Sequence, residues 1–339
     1  MKKHTNLLIL TIFTAMLVLS GCTSKTGGGS TAAEGNTPAA QSEATEVNLG
    51  ALKGPTSIGI MDLVKKSAAG ETQNKYNFTM ETQADALLPK LISGELDIAL
   101  IPANVASVLY NKTSGGIAVI DINTLGVLYM VSGDKNIKSI SDLSGKTVYT
   151  TGKGTTPEYV LTHILEGNAL ADKVTVEYKS EASEVAAVLT SDPSAVGMLP
   201  QPFVTATLKK NADLSIVLDM TQEWDKLNEG SSLVTGVTVV RREFLEAHKD
   251  AVEQFLKDHE SSVNAANSDA AATAALVVEQ GIIENASIAE SAIPYCHLVC
   301  IRNTEMKDML SGYLSVLYSA DASSVGGALP KEDLYYIAQ

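Results

Sequence analysis

Tyr295-Cys296-His297-Leu298-Val299-Cys300 sets two thiols and an imidazole close together, the most unusual composition in the chain. Thiolate and imidazole are good metal ligands. In a strand-like apolar run, however, such close neighbours point to opposite faces, so no metal is expected here. A Cys296–Cys300 disulfide needs Cα atoms within about 7 Å, which a helical turn provides and an extended segment does not. Buried free thiols are therefore the expected state. Tyr295 and His297 are candidate ligand contacts, because an aromatic ring and an imidazole beside a proline turn suit a flat heterocycle.

A second stretch with chemical potential runs from Asp142 to Glu158. Ser144-Gly145-Lys146-Thr147 has the end of a phosphate-binding loop, but Ile140 stands where the first glycine of that motif falls, and Lys146 leads into a strand, so ATP is excluded. Lys146 to Thr151 reads as that strand, Gly152 to Thr155 as a loop, and Pro157 as the first helical residue, with Thr156 able to cap it and Glu158 in the first turn. A helix start of this kind presents free backbone N–H groups to a small polar or anionic molecule. Gly154, Thr155, Thr156 and Pro157 are the candidates on this wall.

The turn Gly54-Pro55-Thr56-Ser57 repeats the arrangement and supplies the opposite wall, with Lys53 beside it as a solvated loop residue or an added charge. Two strands, Asp97 to Ile101 and Ala195 to Leu199, each stop at a proline and are followed by a polar side chain, Asn104 and Gln201. Ligands of open α/β sheets lie beyond the carboxyl ends of the strands. Gln201 can donate and accept; Asn104 either does the same or caps the helix beginning at Val105. Neither Gly-x-Ser-x-Gly nor His-Glu-x-x-His occurs, so no enzyme is expected. His163, His248 and His259 fall on predicted helices and are expected at or near the surface.

The elements that position these residues follow a regular order. Lys2, Lys3 and His4 precede an apolar run from Leu7 to Leu19 that reads as a secretory signal, 1–21. Leu19-Ser20-Gly21-Cys22 resembles a bacterial lipobox, which would make Cys22 the lipidated first residue of the mature chain. Residues 22–45 are small and polar and read as a flexible tether. A net charge of −14 argues against nucleic acid, and 5% aromatic residues weakly disfavour a sugar. Predicted strands and helices then alternate, as in an α/β domain. Strands are expected at Ile117 to Asp121 and Val127 to Ser132 with a break at Asn123 to Gly126, and the crossing between lobes near Thr124 to Val131. Helices are expected over Arg241 to His259, Ala265 to Ile282, Thr304 to Ser319 and Lys331 to Ile337.

Gly94-Glu-Leu-Asp-Ile-Ala-Leu-Ile-Pro102, Asp142-Leu-Ser-Gly-Lys146, Gly197-Met-Leu-Pro-Gln-Pro-Phe203 and Thr235-Gly-Val-Thr-Val-Val-Arg-Arg-Glu-Phe244 together resemble the substrate-binding lipoproteins of ABC importers. The likeness is greatest to the branch of nitrate, sulfonate, taurine and thiamine-pyrimidine-precursor binders. It implies a type II periplasmic-binding-protein fold of class α/β: two lobes, each a mixed sheet flanked by helices, joined by a two-strand hinge. Lobe one would hold 46–127 and 234–339, and lobe two 128–233. The resemblance further implies a monomer on the extracytoplasmic face of a bacterial membrane, without a cofactor, passing a small molecule to an importer permease. A sensor without transport, or an enzyme on the same scaffold, remains open.

Overall fold

Alternating apolar strands and amphipathic helices build two mixed sheets with helices on their faces. The computed structural model describes residues 44–227 and 231–338. The signal, most of the tether and Cys22 lie outside the described residues. Among those residues no helix is long and apolar enough to cross a membrane.

In chain order the elements are β1 (Glu46–Leu52), α1 (Pro55–Ile58), α2 (Met61–Ala68), β2 (Lys75–Glu81), α3 (Ala84–Ser93), β3 (Ile98–Pro102), α4 (Ala103–Lys112), β4 (Ile117–Leu125) and β5 (Leu128–Ser132). They continue as β6 (Thr147–Thr150), α5 (Thr156–Gly167), β7 (Thr175–Tyr178), α6 (Ala182–Ser191), β8 (Val196–Pro200), α7 (Phe203–Lys210), β9 (Ser215–Asp219) and α8 (Met220–Asp225). The remainder holds β10 (Val234–Arg241), α9 (Arg242–Ala247), α10 (Lys249–Ser268), α11 (Ala270–Glu279), α12 (Ala286–Ala292), β11 (Leu298–Ile301) and α13 (Asn303–Ala320).

The first sheet runs β11-β4-β10-β3-β1-β2 and the second β7-β6-β8-β5-β9. The chain passes from one to the other between Leu125 and Leu128, and returns from α8 to β10. Registers fix which ends meet there. Gly236 pairs with Pro102 and Thr124, and Leu298 with Thr124, so the loops after β1 and β3 share one end of the first sheet with the hinge. Leu128 pairs with Pro200, and β6 runs parallel to β8, so the loops after β6 and β8 share the hinge end of the second sheet.

Apolar burial holds these layers together. α2, α10, α11 and α12 cover one face of the first sheet through Leu63, Phe255, Val277 and Ala289, all essentially without solvent contact. On its other face Leu87, Leu109 and Leu310 join a cluster that continues without interruption to Met130, Val160 and Trp224 in the second lobe. α13 makes that continuity: its Tyr313 ring lies 5.4 Å from Trp224 of α8, and both side chains are fully buried. Polar contacts also cross between lobes, with Lys209 Nζ donating to the Ser287 carbonyl at 2.6 Å and Tyr129 Oη to the Tyr295 carbonyl at 3.5 Å.

Several expectations change. β4 does not break at Asn123; it runs to Leu125, because Asn123 and Thr124 bond to neighbouring side chains inside the sheet. The helix expected over Arg241 to His259 is divided, since Arg241 still pairs in β10 and His248 interrupts the helical backbone at φ −134°. The helix expected over Ala265 to Ile282 is interrupted at Asp269: α10 runs on to Ser268, and α11 begins at Ala270, where Asp269 accepts from the Ala272 N–H at 2.9 Å and caps it. Lys331 to Ile337 forms only a short 3-10 turn at Glu332–Leu334, after which Tyr335 bridges to Val119 of β4. The sheet's claim on Tyr335 and the burial of Leu334 outweigh the local helical pattern.

Gly236 is a tight point of the hinge end. A Cβ there would come within 2.5 Å of both Asn123 Oδ1 and Thr56 Cγ2. Gly236→Ala is expected to destabilise the protein by about 1–3 kcal/mol in urea unfolding. An unchanged midpoint would show that α1 can withdraw freely from β10.

Candidate functional site

The lobe-one wall is built by chain turns that satisfy themselves. Gly54 sits at φ 151°, a backbone region that suits glycine, and Pro55 opens α1. Ser57 Oγ, fully buried, donates to the Gly54 carbonyl at 3.0 Å, and Thr56 packs its methyl against Gly236. Asn104 lies in the first turn of α4 and does not cap it, since the helix already begins at Ala103. Its Nδ2 donates to the Ser324 carbonyl at 3.3 Å, while its buried Oδ1 has no partner.

The lobe-two wall corrects the expected cap. α5 begins at Thr156, and Thr155 occupies the cap position without a side-chain bond to the helix. Thr155 Oγ1 instead donates to the Gly152 carbonyl at 2.7 Å, a contact that a Cβ on Gly152 would obstruct. Glu158 turns back and accepts from the Gly154 N–H, so that donor is already engaged. Pro157 follows in the first turn. Lys146 pairs with Asp134 at 2.8 Å and plays its part in strand entry, away from this loop. Gln201, almost fully buried, accepts from Thr205 Oγ1 at 2.9 Å and precedes a cis peptide bond to Pro202.

The third contribution comes from the segment before β11. Ile293–Tyr295 is a 3-10 turn and the strand starts only at Leu298, so the extended run expected from Tyr295 onward is shorter than the apolar pattern implies. His297 holds a φ of 45°, unusual for a non-glycine residue. Its Nδ1–H donates to the Gly126 carbonyl at 2.5 Å and its carbonyl accepts from Leu125 N–H at 3.1 Å. The imidazole is thus fastened to the hinge. Tyr295 is half exposed, at 53%.

What remains unsatisfied is informative. Thr156 Oγ1, Asn104 Oδ1, Thr221 Oγ1 and Thr235 Oγ1 are among the buried polar atoms without a hydrogen-bond partner, and these four belong to the hinge ends of the two sheets. Tyr313 Oη joins them: it lies beside the Thr156 hydroxyl without a well-formed bond, and complete burial pushes its phenol far above the ordinary range. Such groups cost free energy until something pairs with them. The sequence reading missed Thr221, Thr235 and Tyr313, which no motif marks. A surface groove of about 470 Å³ lies between α5 and α13 along His163, Gly167 and Ser319, not at these strand ends.

A second buried constellation lies deeper in lobe one. Asp121 and His259 are both fully buried, with His259 Nδ1 donating to Asp121 Oδ2 at 2.9 Å, so His259 is not the near-surface residue its helix suggested. Thr238 Oγ1 donates to Asp121 Oδ1 at 2.7 Å and accepts from Asn123 Nδ2 at 3.2 Å. A signal was present in the sequence: a lone carboxylate inside the apolar run Ile117 to Ile122 must be paired if it is buried.

Residues 60–292, more than half of the chain, match the family described as menaquinone biosynthesis. The chain belongs to that family. This menaquinone-biosynthesis family protein shares its fold with several solved structures. An ABC transporter protein from Parabacteroides distasonis superposes with a TM-score of 0.74 at 23% identity, covering 87% of this chain and 100% of the other. The periplasmic aliphatic sulphonate binding protein SsuA of Escherichia coli gives 0.66 at 15% identity, covering 85% and 90%. The alkanesulfonate-binding protein SsuA of Xanthomonas axonopodis pv. citri, bound to MOPS, gives 0.65 at 13%, covering 88% and 100%. At these identities the likeness is one of fold, the two-lobed periplasmic-binding-protein architecture. No curated protein matches the chain in sequence.

In this family member both described cysteines are free thiols. Burial pushes the Cys296 thiol up to about 12, and burial followed by the nearby Asp121 carboxylate pushes Cys300 higher still. Below those raised values each stays a protonated thiol, so at pH 8 neither is a nucleophile. Native protein is expected to alkylate slowly at both positions and rapidly in urea, measured by mass of the labelled peptides. Fast native labelling of Cys296 would contradict the burial described here.

Proposed function

We propose that the chain is an extracytoplasmic solute-binding protein, anchored to a bacterial membrane through a lipid on Cys22, that works as a monomer. It captures a small polar or heterocyclic molecule between its lobes and delivers it to the permease of an ABC importer. The observation that supports this reading most is the set of unpartnered buried groups, Thr156 Oγ1, Asn104 Oδ1 and Thr235 Oγ1, at the ends of both sheets next to the hinge. A ligand that pairs with them removes a standing cost and draws the lobes together. The groups are hydroxyls and an amide oxygen, and none of the candidate side chains carries a fixed charge. They suit a neutral or singly charged molecule with mixed donors and acceptors. Tyr295, half exposed, adds an aromatic surface for a flat ring.

The family match favours a second reading, in which the same cleft transforms a cyclic or aromatic carboxylate of the kind derived from chorismate. Held as protonated thiols, Cys296 and Cys300 are poor nucleophiles for such chemistry.

Thermal shift against sulfonates, nitrate, pyrimidines, amino acids and aromatic or cyclic carboxylic acids separates the two. A ligand at a hundred times its dissociation constant should stabilise by about 2.7 kcal/mol. The expected result is stabilisation with the compound recovered unchanged; recovery of a product would establish the enzyme reading instead. Replacing Thr155 and Thr156 together by alanine should weaken binding roughly tenfold, the loss of one to two hydrogen bonds. Unchanged affinity in that variant would remove the α5 wall from the site.

A further inference from the structure

We infer that Asp121, His259 and Cys300 form a site for a divalent transition metal of the zinc class, within lobe one and separate from the hinge ends. One ligand atom from each residue lies within 4.8 Å of the other two. The three come from different elements, β4, α10 and β11, brought together only by the fold.

Two irregularities aim them at one another. β4 pairs with β10 through a register shift between Thr238 and Val239, which places an extra β4 residue there and turns Asp121 toward α10. β11 pairs with β4 through another shift between Leu298 and Ile301, which carries Cys300 toward the same face. There it packs with the cluster that contains Phe255 and Leu256 of α10. His259 lies on the buried stripe of α10 one turn beyond Phe255, whose ring stacks on it at 5.5 Å. The group suspected from sequence alone, Cys296 with His297 and Cys300, is not assembled. Cys296 Sγ bonds to the Ala292 carbonyl and His297 to Gly126, so only Cys300 joins the cluster.

A carboxylate oxygen, an imidazole nitrogen and a thiolate sulfur are a ligand set that zinc accepts. The charges also close. Asp121 and the Cys300 thiolate carry two negative charges against the two positive charges of the ion, so the buried unit is neutral. On binding, the thiol proton leaves to solvent, and the imidazole proton on Nδ1 passes to Nε2 where Nδ1 becomes the ligand. Outer contacts are already in place: Thr238 Oγ1 holds Asp121 Oδ1, leaving Oδ2 for the ion, and Asn123 Nδ2 orients Thr238 in turn. His259 Nε2 is buried without a partner, so the ring is not fully committed to its present contacts. Access runs along β11, the edge strand, where Cys300 is only partly buried.

The test uses the reduced full chain at neutral pH, titrated with Co²⁺ alone and then with Zn²⁺. Wild type and Cys22→Ser should each bind one equivalent of Co²⁺ with a near-ultraviolet sulfur-to-cobalt charge-transfer band that Zn²⁺ displaces. Cys300→Ser should lose the band, and Thr238→Val, which keeps all three ligands, should weaken Co²⁺ affinity roughly 10- to 100-fold. No band in wild type, or a band that survives in Cys300→Ser, overturns the assignment.

Discussion

A carboxylate buried in the middle of a central strand is the constraint around which this molecule is arranged. Asp121 is fully buried in the lobe-one core and meets two donors there, Thr238 Oγ1 from β10 and His259 Nδ1 from α10. Removing one partner from such a buried arrangement costs about 3–5 kcal/mol in comparable proteins. The same contacts fix β4 against both β10 and α10. Since β4 leads through Leu125 to Leu128 directly into β5, and β10 is the return strand, fixing this pair fixes the place where the lobes are joined.

From that fixed joint the site follows. The carboxyl ends of β1, β3, β6 and β8 are all brought to the hinge, and the loops leaving them carry small residues and hydroxyls. Many of these side chains are occupied by their own loops, as Ser57 is by Gly54 and Thr155 by Gly152. A few groups there remain without partners. The lobes meanwhile hold together by apolar contact through Tyr313 and Trp224 and by the Lys209 to Ser287 bond. On the proposed reading, a ligand shifts the balance between open and closed forms only by its difference in affinity for them.

Much of this was legible in the sequence, for physical reasons that can be named. Strands such as Ile98–Pro102 and Val196–Pro200 are short apolar runs stopped by proline, and Pro55 and Pro157 mark helix starts. The loops chosen as site candidates fall where the topology brings strand ends together. Less legible were the features decided by distant partners. β4 continues through Asn123 and Thr124 because Thr238 bonds there, and Tyr335 leaves a helical pattern to meet Val119. Thr221, Thr235 and Tyr313 gain meaning only through burial, which no local spacing encodes. The α8 and α12 helices, six and seven residues long, are too short to announce themselves by periodicity.

The central claim is that one ligand engages both walls at the hinge. Hydrogen–deuterium exchange with and without the strongest ligand from the compound panel tests it most directly. The account predicts increased protection of the first-turn amides of α1 and α5 together, at matching ligand concentrations, with β2 and α3 unchanged. Protection confined to one of the two helix starts, or located in the groove between α5 and α13, would contradict it.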